Sequence, residues 1–390
     1  MNPAPKITLT IASAAIFFGC WVLLIPARQV PAYLPPAVIP AQQKGPVFDA
    51  HWVSNNETNE AHSASIAITD GKPVAVWYGG TEEGHRDVAI FSSSFDGKWA
   101  TPRVIADRNS TEQALGRYIR KVGNPTLYSW PDGRLGLYYV SVSIGGWAAS
   151  SINYMESFDQ GMQWTSPIRL VTSPFLNIST LVRTKGLPLS DGGVQLPVYH
   201  EFLGKFSETL TLSSDLTVMD KVRISRGKHS LQPAITNLDE SSAIGLLRYS
   251  GDPPGRVLSV FSQDAGAHWS TPVRTELPNP DSAVSIINPG NGYLLLALND
   301  LEDGRHRLSL AMGSADEWTI VKVLEEETAT NLDHEYEFSY PSMTIGPDGF
   351  IHLVYTWNQK RIKHLRFNRE WLELPLAGKF RSLMSLSKQG

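Results

Sequence analysis

The chain has 390 residues, is 42% hydrophobic and 18% charged, and carries a formal net charge of −4. That is ordinary globular composition, enough for one large or two modest domains. Lysine and arginine are mixed among aspartate and glutamate, which excludes the basic stripe of a nucleic-acid binder, and no nucleic-acid partner is expected. Its 31 glycines, 26 prolines and 11 tryptophans suit many short strands joined by tight turns.

In chain order, the first element is an uncharged run over residues 7–27. About 20 apolar residues span the hydrocarbon layer as a helix. Lys6 and the amino terminus precede the run, so residues 1–27 read as a cytoplasmic tip and transmembrane signal anchor, with the remainder exported to the periplasmic or extracellular side. A cleaved signal peptide is the rival, but the run is long and lacks a clear small-x-small site. The only cysteine, Cys20, lies within it, leaving the exported part without disulfides. Residues 28–46 are rich in proline and read as a semi-extended linker.

From residue 47 onward a turn dipeptide recurs between apolar arms. It stands at Asp70-Gly71, Asp132-Gly133, Asp191-Gly192, Asp239-Glu240, Asn291-Gly292 and Asp348-Gly349, at intervals of 62, 59, 48, 52 and 57 residues. Asp-Gly and Asn-Gly supply the positive φ of tight hairpins, so each marks two antiparallel strands. A second pattern, S-x-D-x-G-x-x-W, appears at Ser157–Trp164 and Ser262–Trp269, with shortened copies at Ser94–Trp99 and Ser314–Trp318. Six markers at this period predict an all-β fold, a six-bladed β-propeller over residues 47–370, with 371–390 as a C-terminal tail. The segment 47–53 is expected to complete the last blade.

In such a wheel, polar residues at the ends of inner strands converge on the axis. The candidates are His62, the run Glu82, Glu83, His85, Arg86 and Asp87, then Asn124, Lys185, Tyr199, His200, Glu201, His229, Gln232, Arg248, Asn299, Arg307 and Tyr340. Cations and hydrogen-bond donors dominate, which suits an anionic ligand gripped by guanidinium groups. There is no HExxH motif, no paired-cysteine set and no EF-hand pattern, so no metal or cofactor is expected.

On the repeated turns, the S-x-D-x-G-x-x-W boxes and the segments around Arg248, Arg307 and Tyr340, the chain resembles the sialidase (neuraminidase) superfamily over residues 50–368. The segments WYGGTEEGHRDVAI, HSLQPAI and FSYPSM look like its divergent BNR-repeat, or Asp-box, branch. The resemblance implies a six-bladed propeller in which three arginines bind the substrate carboxylate, a tyrosine paired with a glutamate is the nucleophile, and an aspartate is the acid/base. Arg248 looks like the second arginine and Arg307 like the third. Tyr340-Pro341-Ser342-Met343 resembles the nucleophile segment. Three positions depart: His62 stands where the first arginine is expected, Gln232 where the glutamate is, and Glu83 or Asp87 is nearest by spacing to the acid/base.

Those departures leave three functions open. One is a glycoside hydrolase acting on an acidic sugar of the cell envelope, with Tyr340, Glu83 or Asp87, and His62 in the reaction. Arg248, Arg307, Arg86, Asn124, Lys185, Gln232 and Asn299 would then bind the substrate. The second is a uronate polysaccharide lyase using histidine and tyrosine beside arginine neutralisers. The third is a non-catalytic glycan-binding propeller in envelope polysaccharide processing. All three name an acidic glycan or polysaccharide as partner.

Overall fold

The computed structural model describes residues 30–36, 45–173, 177–290, 292–315, 317–327 and 336–374. The anchor, most of the linker, Asn291, Asp316 and most of the tail lie outside the described residues. Among the described residues no helix is long and apolar enough to cross a membrane. Residues 32–390 form the unit that carries the sheets.

Six antiparallel sheets follow one another in the order the turn markers implied. Blade I runs through strands Glu60–Thr69, Lys72–Gly80, Ala89–Ser94 and Arg103–Asp107. Blade II comprises Lys121–Ser129, Leu135–Val142, Ser150–Ser157 and Ile168–Arg169. In blade III two short segments, Leu181–Val182 and Leu187–Pro188, share the inner position beside Val194–His200, followed by Phe206–Leu212 and Val218–Arg223. Blade IV is Ser230–Asn237, Ala243–Tyr249, Arg256–Ser262 and Val273–Pro278. Blade V is Ser285–Ile287, Leu294–Leu298, Arg307–Gly313 and Trp318–Glu326. Blade VI takes Phe338–Ile345, Ile351–Trp357 and Arg361–Phe367 from the end of the chain and its outer strand, Phe48–Trp52, from the beginning. That antiparallel pair closes the circle, as expected of residues 47–53.

Burial follows position in the blade. Leu135–Val142 and Leu294–Leu298 are buried throughout, because sheets cover both their faces. Outer strands such as Phe48–Trp52 and Val218–Arg223 alternate or stand open to solvent. The near-continuous apolar arms around each turn are therefore the two inner strands, each fully buried aliphatic side chain contributing about 1.5–3 kcal/mol.

Both full Asp-boxes are built alike. Ser157 Oγ donates to Asp159 Oδ1 at 2.8 Å and accepts from Gly161 N at 2.9 Å, while Trp164 Nε1 donates to Gly161 O at 3.1 Å. The corresponding distances at Ser262, Gly266 and Trp269 are 2.9, 2.8 and 3.1 Å. Gln160 of the first box reaches Asp70 in the turn of the preceding blade. The boxes thus sit at the hairpin-turn end of the wheel and pin one blade to the next.

At the opposite end, four inner strands carry the same irregularity. The ladder skips at His62/Ser65, Gly123/Thr126, Leu231/Ala234 and Ser339/Ser342. Each bulge holds a non-glycine residue in the left-handed region: Ser63 (φ 54°), Asn124 (47°), Gln232 (46°) and Tyr340 (52°). Proline follows three of them, at 125, 233 and 341, and cannot donate to the ladder. A bulge re-aims its side chain, and those of Asn124, Gln232 and Tyr340 converge: the first two both reach Tyr199, and Arg248 joins Gln232 to Tyr340.

Candidate active site at the hub

Tyr340, raised on the last bulge, is the centre of the constellation. The Arg183 guanidinium lies 5.0 Å from its ring centroid and that of Arg305 lies 5.7 Å away. Arg248 Nη1 donates to the phenol oxygen at 3.5 Å. On the remaining side the His62 ring meets it edge-on, with centroids 4.6 Å apart. Three guanidinium groups, a phenol and an imidazole thus share one small volume.

Each arginine is held by a different device. Arg183 is fully buried and donates through Nη2 to Tyr340 O at 2.7 Å; burial lowers its pKa to about 10, still leaving it charged at neutral pH. Arg248 donates through Nε to Asp281 at 2.5 Å and through Nη1 to Gln232 Oε1 at 3.0 Å. Arg305 pairs with Glu337 at 3.1 Å and donates to Asp281 O at 2.8 Å. Fixed in this way, the guanidinium forks pay little entropy on meeting a carboxylate.

The groups able to move protons flank this cluster. Burial holds the His62 imidazole below its ordinary pKa, against the opposing pull of Glu83 and Glu337, so the ring is neutral at pH 7. Its Nε2 lies 3.6 Å from Glu83 Oε2, and that carboxylate is about half exposed toward the mouth. Burial, reinforced by Glu83, keeps Tyr78 protonated. Tyr199 accepts from Asn124 Nδ2 at 3.1 Å and Gln232 Nε2 at 3.4 Å. Burial raises the pKa of Glu201, with Arg248 and Lys205 opposing.

Of the residues singled out from sequence, His62, Glu83, Asn124, Tyr199, Gln232, Arg248 and Tyr340 meet at the hub. Arg307, Asp87, Arg86, Lys185 and Asn299 do not. Arg307 points instead to Asp300 at 3.0 Å and Glu326 at 3.4 Å in blade V, because it begins the third strand and faces the ladder. Arg305, two residues earlier and still in the connecting turn, takes the axial position. Asp87 accepts from Thr81 N and Oγ1 and from His85; these bonds, Thr81 foremost, hold its pKa at about 2 and tie it into the loop. Arg86 donates to Tyr118 in a groove beside the hub. Lys185 lines the axial channel beside Ile286, Pro341 and Met343, where burial lowers its pKa to about 8. Asn299 is buried and clamps blade V to blade VI, donating to Arg307 O and Phe338 O at 2.7 Å each.

Arg183, Arg305, Tyr78 and Glu337 were not among the sequence candidates. An arginine inside the apolar run before the third turn is the signal that marks Arg183. The Arg-His-Arg triplet at 305–307 offers two choices that only the turn geometry separates. Among the described residues no group of three metal-ligating side chains is placed to hold an ion.

The wheel and its arginine-lined hub define the class: a sialidase-like six-bladed propeller. The chain belongs to the BNR repeat-like domain family, whose model matches residues 71–353, and its fold is shared with solved sialidases. A protein of unknown function from Dyadobacter fermentans superposes with a TM-score of 0.67 at 13% identity, over 82% of this chain and 98% of that one. The intramolecular trans-sialidase of Ruminococcus gnavus gives 0.62 at 14% identity, over 81% and 96%. The sialidase of Trypanosoma rangeli gives 0.64 at 16% identity and covers 89% of this chain, which spans only 62% of that structure. Among curated proteins none matches this sequence.

Proposed function

We propose that the protein is a glycoside hydrolase for acidic sugars, working from the hub. The observation that carries this is the placement of the Tyr340 phenol among Arg183, Arg248 and Arg305. The arginines bind the sugar carboxylate and thereby set the anomeric carbon over the phenol oxygen. A phenol suits that task because a carboxylate nucleophile would be repelled by the anionic sugar. Tyr340 displaces the glycosidic oxygen, Glu83 at the mouth protonates it, and water then releases the sugar from the phenol. Negative charge on the phenol oxygen is met by Arg248 Nη1. The proton it loses has His62 as the neutral base packed against the ring.

One observation favours a second function. Gln232, an amide, occupies the place beside Arg248 where a glutamate would activate the phenol. A neutral histidine touching a tyrosine beside arginines is also the equipment for abstracting a proton α to a uronate carboxylate and eliminating the leaving sugar. A panel of sialosides and uronate polysaccharides separates the two. Free acidic sugar supports hydrolysis, and an unsaturated end absorbing near the ultraviolet edge supports elimination. Saturable binding with no product, unchanged in Tyr340→Phe, would leave a glycan-binding module. We further propose that residues 7–27 anchor the wheel on the outer side of a membrane.

A further inference from the structure

Beside the hub, between the loops of blades I and II, lies a groove of about 620 Å³, the size of a small-molecule site. Glu83 connects the two, lining the groove while its carboxylate stands 3.6 Å from His62 at the hub. The groove wall carries Arg86 and Arg120, both exposed. Neither has a carboxylate within salt-bridge distance among the described residues: Arg86 donates to Tyr118 Oη at 3.0 Å and Arg120 to Gly145 O at 3.3 Å.

Two more cations back this wall. Lys121 is buried with its ammonium 3.8 Å from the Trp147 ring centroid, and it lies close against Gly84, where a Cβ would meet Nζ at 3.1 Å. Arg117 donates through Nη2 to Ser143, a wall residue, while its buried Nη1 meets no acceptor. Against these four cations the wall offers the carboxylates of Glu82 and Glu83. It also offers apolar surface: the Tyr118 ring, 48% exposed and fixed by Arg86, and Ile144, 76% exposed. An aromatic face next to guanidinium groups fits a sugar ring that bears an acid, stacking its C–H face while the charge meets the arginines.

We propose that this groove is a second anion subsite, which seats the next acidic sugar of a polyanionic chain while the first occupies the hub. It rests on the acidic-sugar assignment of the hub and narrows the substrate class from any terminal acidic sugar to runs of them. A single acid on a neutral glycan would leave the unpaired arginines without a partner.

Calorimetry on the Tyr340→Phe protein, which on the hub assignment holds ligand without turning it over, provides the test. The probes are tetramers of sialic acid and of galacturonic acid, each against the same acid carried singly on a neutral disaccharide. The expected result at low salt is a tetramer bound about ten-fold more tightly than the single acid, the factor expected of two exposed charge contacts and one stacked ring. That advantage should fall to about two-fold or less when R86Q and R120Q are added, and should shrink as salt rises. A tetramer no tighter than the single acid, or an advantage that survives R86Q and R120Q, overturns the second subsite while leaving the hub assignment standing. If no acid binds in any form, the hub assignment falls and the subsite falls with it.

Discussion

Lowering the pH from 7 to 5 should cost the folded wheel about 2 kcal/mol through His352, half of a histidine pair in the blade that closes the wheel. His352 and His364 are buried in the closing blade, their rings parallel, with His352 Nδ1 and His364 Nε2 3.0 Å apart. Trp99 of blade I donates its indole N–H to His364 Nδ1 at 3.2 Å. That donor fixes the protons: His364 carries hydrogen on Nε2 and gives it to a bare Nδ1 on His352. A second proton, on the Nδ1 of either ring, would set two donors against each other. Burial, slightly countered by Asp348 and assisted by Arg366, lowers the pKa of His352 to about 4, and burial with His352 and His51 pushes His364 well down. The unfolded chain protonates His352 near pH 6.5 and the folded one only near 4, so acid favours the unfolded state between those values, and the lowered His364 acts in the same direction. The stabilisation is complete above pH 6.5. By linkage His352 alone forfeits about 2 kcal/mol at pH 5 and about 3 kcal/mol once the pH is below 4. Urea midpoints across pH 7 to 4.5 measure it, with His352→Asn as control because its amide oxygen still accepts from His364 and does not titrate. Equal pH slopes in the two proteins would refute the argument.

The hub makes sharper distinctions by substitution. Arg305→Gln should raise KM for an acidic substrate about 10- to 100-fold, the cost of one charge-assisted contact. Arg307→Gln should leave KM within about two-fold, yet destabilise the fold by about 1–3 kcal/mol by stranding the Asp300 carboxylate, whose side chain is only 8% exposed; the reverse pattern in kinetics and melting would restore Arg307 to the site. Gln232→Glu returns a carboxylate to the neighbourhood of Arg248 and Tyr199, and on the hydrolase proposal should raise kcat about 100-fold. A fall in kcat with an unsaturated product would favour elimination. Protein expressed from residue 1 should pellet with membranes while protein beginning at residue 45 stays in the supernatant, and recovery of both in the same fraction would remove the anchor.

The blades were legible because hairpin turns need particular residues at a fixed period, and Asp70-Gly71, Asp132-Gly133 and Asp348-Gly349 announce themselves. The axial side chains were legible where a proline follows the residue that matters, as at Asn124, Gln232 and Tyr340. Arg183 escaped because the inner position of blade III is split into two short segments with no such marker. Arg305 escaped because strand periodicity favours Arg307, the residue inside the strand, while the axis is reached from the turn before it. Glu83 and Asp87 share one loop and are told apart only by Thr81, whose amide and hydroxyl occupy the aspartate.

The four left-handed bulges separate two jobs that a strand residue ordinarily does together. Ser63, Asn124, Gln232 and Tyr340 are skipped by the ladder, so their side chains take no part in pairing the first two strands of their blades. An exchange there leaves the ladder hydrogen bonds as they are, provided the newcomer tolerates positive φ, which β-branched residues do not. At Asn124, Gln232 and Tyr340 the chemistry shown to the axis is thus uncoupled from strand pairing, and an amide in place of a carboxylate at 232 is the kind of exchange this uncoupling permits.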